Sequence, residues 1–248
     1  MEDLRAFSAG SANDESHMHL WLKGASLFIP QLNQLLEHTD HIFTIVHIDT
    51  FENKHSEHLG HIFEQQCSDK STGHNYHILY SFILNSLGVN TALNILEIGL
   101  GTNNPQLVST MGYYGKPGAS LYAFREYLPN AKIYGGDIDK DILFEAERIQ
   151  TSYVNQLELQ TLYDMRTRWG NIKFDLIIDD GLHSIGANFN TLLFALDSVK
   201  GGGWIVIEDI HIKENWKSID FILHSTKKVK TYFIQALNGC IYAIQKII

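Results

Sequence analysis

Beyond about residue 90, short apolar runs alternate with amphipathic stretches, the pattern of strands joined by helices. Asn94–Ile98 reads as a strand followed by Gly99-Leu100-Gly101, and Ala131–Gly135 as a second that ends in Gly136-Asp137-Ile138-Asp139. Asp141–Ile149 reads as a helix, Leu159–Tyr163 as a third strand and Phe174–Ile178 as a fourth. A helix over Asn188–Val199 leads through Gly201-Gly202-Gly203 to a fifth strand, Trp204–Ile207, and another helix falls near Trp216–Leu223. The last two runs, Val229–Leu237 and Cys240–Gln245, flank Asn238-Gly239, a strong type I′ hairpin signal.

The first third has a different texture. Apolar residues recur at helical spacing from about His19 to His38 around Pro30, which can open a second helix. Ile42–Phe51 fits either a short strand or a buried helix, Glu52 to about Gln66 a helix, and a polar loop from Cys67 precedes a helix ending near Leu87. Gly88 and Asn90 mark the break. The expected division is a mainly helical segment, 1–88, and an α/β domain, 89–248. For that domain we expect a doubly wound, mostly parallel seven-stranded sheet closed by an antiparallel hairpin. This architecture resembles the Rossmann-like fold of the class I methyltransferases.

Composition narrows the partners. With 19 basic against 28 acidic residues the formal charge is −9, which disfavours nucleic acid or an anionic membrane as partner. Two cysteines far apart, Cys67 and Cys240, supply neither a disulfide framework nor a metal-cluster spacing. The acidic first residues and the lack of a long apolar run predict a cytoplasmic protein without membrane insertion. Ten of the 13 histidines precede residue 78, and His55, His58 and His61 fall at threes. Without matching cysteine or carboxylate spacing they read as a solvated stripe rather than a zinc site.

Chemistry concentrates at strand ends, where ligands bind in open parallel sheets. After the first strand, Gly99 and Gly101 allow a tight turn and close approach to a ligand, although Asn103 replaces a third glycine. Asp137, ending the second strand, suits the ribose hydroxyls of an adenosine cofactor. Glu97 lies within the strand, where it would repel a pyrophosphate but suit the cationic S-adenosylmethionine. Asp164, after the third expected strand, is assigned to the adenine side. The fourth strand ends Asp179-Asp180-Gly181-Leu182-His183 and its neighbour ends Glu208-Asp209-Ile210-His211. So much negative charge at one edge calls for protons or a cation. Oxygen donors suit Mg²⁺, with Mn²⁺ or Ca²⁺ as alternatives. Successive strand side chains point to opposite faces, so Asp179 and Asp180 cannot both face the same cavity; Asp180, Glu208 and Asp209 are taken as ligands. Asp179 is left between a structural and a cofactor-binding role. His183 is placed to take a proton from the acceptor, and His211 stands either beside the site or in solvent.

These residues resemble the Mg²⁺-dependent sugar O-methyltransferases of macrolide biosynthesis, and more loosely their cephalosporin-hydroxylase-like relatives. The resemblance rests on Asp180-Gly181-Leu182-His183, on Glu208-Asp209, on the insertion around Pro117–Arg125 with the segment to Asp139, and on Asp69-Lys70 with His74 and Tyr76. It covers residues 67–212 and implies methyl transfer to a small-molecule or saccharide hydroxyl, with Asp180 and His183 catalytic. It also implies that Lys70, His74 and Tyr76 lie near cofactor and substrate. Other readings are a catechol- or phenol-type O-methyltransferase, a nucleotide-dependent oxidoreductase, and a non-catalytic protein on the same scaffold. The apolar helices of the first 65 residues raise the expectation of a homo-oligomer.

Overall fold

The computed structural model describes residues 45–247 together with Gln31, Asn33, Gln34 and Leu36. The helices expected between His19 and His38, and the oligomer contacts assigned to them, lie mostly outside the described residues. Among the described residues, nine strands form one sheet: β1 (Ile45–His47), β2 (Asn94–Ile98), β3 (Lys132–Asp137), β4 (Glu145–Ala146), β5 (Ile149–Tyr153), β6 (Phe174–Asp179), β7 (Val199–Ile207), β8 (Val229–Ala236) and β9 (Gly239–Lys246). Their order is β1-β8-β9-β7-β6-β2-β3-β5-β4. The expected seven strands gain two short edge strands, β1 and β4. Only β9 and β4 run antiparallel to their neighbours.

Alternation along the strands sends side chains to two cores. Ile95, Leu176, Ile178 and Val206 face a layer built by α1 (Ser56–Gln65), α2 (His77–Leu87) and α3 (Ala119–Tyr127). Leu96, Ile177, Ile205 and Ile207 face the other layer, which holds α4 (Leu159–Arg168), α5 (Ile185–Ser198) and α6 (Lys217–Ser225). The sheet is thus wound on both faces, as expected for runs that are apolar throughout. Leu59, Phe63, Tyr80 and Ile83 of α1 and α2 are fully buried in the same core as β2 and β6.

Several expected elements change. Leu159–Tyr163 is not a strand but the first half of α4, because Leu162 and Met165 bury one helical stripe against the sheet. The third parallel strand is instead Ile149–Tyr153, paired with β3. The helix expected over Asp141–Ile149 is replaced by a 3₁₀ turn at Lys140–Ile142 and the β4–β5 hairpin. Arg148 turns that hairpin at φ 60°, and its guanidinium donates to the carbonyls of Leu128, Ala131 and Arg125. Tertiary pairing of Ile149 with Ile133 overrides a good helix composition there. Gly201–Gly203 form no separate turn; they lie inside β7, where its register with β6 is irregular. Ile42–Phe51 resolves in its described part into β1 and a 3₁₀ turn, Ile48–Phe51.

Candidate active site

The turn after β2 is packed against the end of β6. Gly99 adopts φ +92°, and a Cβ there would stand 2.1 Å from the carbonyl oxygen of Asp180. The Asp180 amide in turn donates to the Ile98 carbonyl at 2.8 Å. Where the third glycine of the pattern is missing, Asn103 closes the following loop instead. Its side-chain amide donates to the carbonyls of Gly112 and Gly115.

Over this edge opens a cavity of about 700 Å³, lined in part by Gly99, Gly101, Asp137, Asp180, His183 and Asp209. Asp137 is buried at its rim. Its carboxylate accepts the amides of Leu100 (2.7 Å) and Asp139 (2.8 Å), and burial pushes its pKa up. With the Ile138 amide as a further donor, the carboxylate still keeps acceptor capacity for a ligand hydroxyl.

Beneath the opposite end lies a polar centre. The Lys70 ammonium, 2% exposed, stands 2.7 Å from Asp180, 2.6 Å from Glu208 and 3.2 Å from Glu97. Burial alone would lower the Lys70 pKa, but Asp180, Glu208 and Glu97 together hold it well above the usual value. Burial and the charge of Asp180 push Glu208 well up, and burial pushes Glu97 up. Tyr80 donates its hydroxyl to Glu208, and Tyr76 donates to Asp209 at 2.5 Å. His183 Nε2 lies 3.8 Å from Asp180 and 3.6 Å from Asp209. One donor atom from each of Asp180, His183 and Asp209 fits within 4.8 Å of the others. His183 and Asp209 both follow strand ends in left-handed conformations, φ 50° and 53°.

Some expected residues take other places. Glu97 does not line the cavity; it is buried under it, paired with Lys70 and accepting from the Ser120 hydroxyl at 2.5 Å. Asp164 is exposed on α4, accepting from Gln160, and is absent from the cavity wall because its segment is helical. Asp179 points away from Asp180. Fully buried, it accepts from Gln156 and Asn188, and burial raises its pKa. Lys70, His74 and Tyr76 gather at the acidic end, His74 stacked on Tyr76 with ring centroids 5.0 Å apart. His211 is exposed, its ring 6.3 Å from that of His183. On α1, His58 and His61 are exposed, as a solvated stripe requires.

Sequence reasoning missed Tyr80, Ser120 and Gln156. Tyr76 and Tyr80 are four residues apart, a spacing that puts both on one helical face, and that was the available signal. Gln156 joins elements far apart in the chain: it bonds Asp179, Thr191 and the Leu182 amide. Local sequence carries no trace of such a role.

The chain matches no family model. Among curated proteins it is 29% identical, over 61% of its length and 36% of the relative's, to the 8-demethyl-8-(2-methoxy-alpha-L-rhamnosyl)-tetracenomycin-C 3'-O-methyltransferase of Streptomyces olivaceus. It is 35% identical to the mycinamicin VI 2''-O-methyltransferase of Micromonospora griseorubida, over 49% of this chain and 28% of that one. Demethylmacrocin O-methyltransferase of Streptomyces fradiae is 34% identical, again over 49% and 28%. The match thus spans about a third of those relatives' length. Among solved structures, the MycE methyltransferase of the mycinamycin pathway, in complex with Mg and SAH, superposes with a TM-score of 0.60. It is 23% identical, over 76% of this chain and 54% of that one. The fold is that of a methyltransferase. On the class I methyltransferase sheet, the glycine turn and the acidic centre occupy the carboxyl ends of neighbouring parallel strands, β2, β6 and β7.

Proposed function

We propose that this chain transfers a methyl group from S-adenosylmethionine to a hydroxyl of a sugar or glycoside, aided by a divalent cation of the Mg²⁺ type. The observation that carries the reading is one cavity bordered by the Gly99–Gly101 turn and Asp137 on one side and by Asp180, His183 and Asp209 on the other. A cofactor and an acceptor hydroxyl can meet there. The curated relatives are named as O-methyltransferases of sugars on polyketides, which supports the same acceptor class here. The charge of −9 argues against a nucleic-acid acceptor. We place the reaction in the cytosol, a reading supported by Cys67 and Cys240 being unpaired.

The residues present fit both groups. The glycine turn borders the cavity, with the Met111 side chain lying over Gly101, and Asp137 keeps acceptor capacity for ribose hydroxyls. Asp180 and Asp209, with Glu208 behind them, would hold the cation. Their charge exceeds what Lys70 offsets, and oxygen-rich donors suit a hard ion. When bound, S-adenosylmethionine supplies the methyl group, and the cation supplies charge that orients the acceptor and eases loss of its proton. His183 removes that proton as general base. Asp209, fixed by the Tyr76 hydroxyl, orients the imidazole and steadies its positive charge after proton uptake. The cavity walls hold the reactants in line, the main protein contribution to a displacement of this kind.

The test is His183→Ala, assayed for methyl transfer from labelled S-adenosylmethionine to a panel of deoxysugar glycosides. Turnover should fall at least ~100-fold, the usual share of a general base, while calorimetry with S-adenosylhomocysteine gives an unchanged Kd. Retained turnover would remove His183 from the mechanism. Absence of S-adenosylhomocysteine binding to the wild type would remove the reading altogether.

A further inference from the structure

Lys70 raises a question that methyl transfer leaves open. An ammonium 2% exposed stands among three carboxylates from three strands, Glu97 of β2, Asp180 just past β6 and Glu208 just past β7. A buried charge survives only when paired, and here each partner explains the other. Yet the balance is incomplete. One positive charge faces three carboxyl groups, with Asp209 as a fourth next to Glu208. Tyr80 holds the second oxygen of Glu208, and Tyr76 holds Asp209. The carboxylates at the ends of β6 and β7 are therefore fixed in place by side chains of the loop and helix that precede β2.

We infer that Lys70 is the resident counter-cation of the acidic centre: it keeps Asp180 and Glu208 in position without a divalent ion and weakens the hold on one when it binds. This rests on the metal reading above. The physics has two parts. Without Lys70, carboxyl groups a few ångströms apart in a poorly solvated pocket would repel, and the strand ends would splay or take up protons. With Lys70, an incoming cation meets a fixed like charge close by, bonded to Asp180, one of its prospective ligands, and to Glu208 behind it. Glu97, too deep to line the cavity, then serves to hold Lys70. Such a device keeps the site assembled while leaving the ion exchangeable.

The experiment measures metal binding and stability rather than turnover. Mn²⁺ is titrated into wild type, Lys70→Gln and Lys70→Arg and followed by electron paramagnetic resonance, with thermal melts in EDTA and in saturating Mn²⁺. Lys70→Gln should bind Mn²⁺ at least ~10-fold tighter than wild type, because the opposing charge is gone. It should melt lower than wild type in EDTA and recover most of that loss in Mn²⁺. Lys70→Arg, which keeps the charge, should bind Mn²⁺ as wild type does. A Lys70→Gln protein that folds only with Mn²⁺ present supports the inference. A folded variant binding Mn²⁺ no tighter than wild type overturns it, as does one left unfolded with and without the ion. Wild type that binds no Mn²⁺ sinks the metal reading and the inference together, whereas unchanged binding in a folded variant sinks the inference alone.

Discussion

His183 and Asp209 hold left-handed backbone conformations that cost non-glycine residues ~1–3 kcal/mol each, and both border the same cavity. What fixes Asp209 is the Tyr76 hydroxyl at 2.5 Å. A hydrogen bond to a charged group contributes ~1.5–3 kcal/mol. Tyr76→Phe should therefore lower kcat about 10-fold or more, with little change in S-adenosylhomocysteine affinity, as stopped-time assays and calorimetry can show. Equal loss in both would place Tyr76 at the cofactor instead. A second residue-scale effect concerns His77, whose imidazole is lowered from its usual pKa by burial and whose Nδ1 has no hydrogen-bond partner. A lowered pKa means that the unfolded chain takes up the proton more readily. The His77 contribution is complete above its unfolded pKa of about 6.5 and is lost as pH falls through the folded value. His77→Gln should thus gain on wild type, in urea midpoint, between pH 7.5 and pH 5.5. Parallel pH profiles for the two proteins would refute this.

At the scale of elements, β2, β6 and β7 were legible in the chain because their residues are apolar on both faces, which only a sheet covered on both sides allows. The hairpin of β8 and β9 was legible from Asn238-Gly239, but its loop is Leu237-Asn238: Gly239 already pairs with Ala236, and neither Asn238 nor Gly239 has the positive φ of a type I′ turn. Misread elements were those that tertiary contacts decide. Asp141–Ile149 has a helical composition, but Ile149 pairs with Ile133 and Arg148 turns the hairpin through bonds to the β3 approach. Strand ends pointed to Asp180, Glu208 and Asp209 as the carboxylates of the site; Asp180 and Asp209 line the cavity with His183, whereas Glu208, adjacent to Asp209, is turned inward onto Lys70 and Tyr80. Strand ends could not tell that Glu97 pairs with Lys70, because that contact closes over a separation no local pattern reports. The junction of β2 with β6 is the element that makes the site, and Gly99 is its constraint. Gly99→Ala combines a positive φ with a Cβ 2.1 Å from backbone, so the turn must move. A loss of at least ~1–3 kcal/mol in urea unfolding is expected, together with loss of S-adenosylhomocysteine binding. Wild-type stability in this variant would show the turn to be softer than its packing implies.

For the whole molecule the question is whether the chain behaves as one unit. Division at residue 88 reads well in sequence, but Leu59, Phe63, Tyr80 and Ile83 share a core with Ile95, Leu176 and Val206. Lys70 and the two tyrosines also tie that part of the chain to the ends of β2, β6 and β7. Such interlocking predicts cooperative unfolding of the described residues in a single transition. A ligand that binds only the native state then stabilises all of it. At a free concentration ~100 times Kd the gain is about 2.7 kcal/mol, and at ~2–4 °C per kcal/mol for a chain of this size the melting point should rise by roughly 5–11 °C. S-adenosylhomocysteine should produce that shift, and NAD, whose pyrophosphate would meet the carboxylates of the acidic centre, should produce none. Calorimetric scans decide both points together. Two separate endotherms, with only the later one moved by S-adenosylhomocysteine, would restore the division at residue 88. A shift with NAD and none with S-adenosylhomocysteine would turn the reading of the cavity toward hydride transfer.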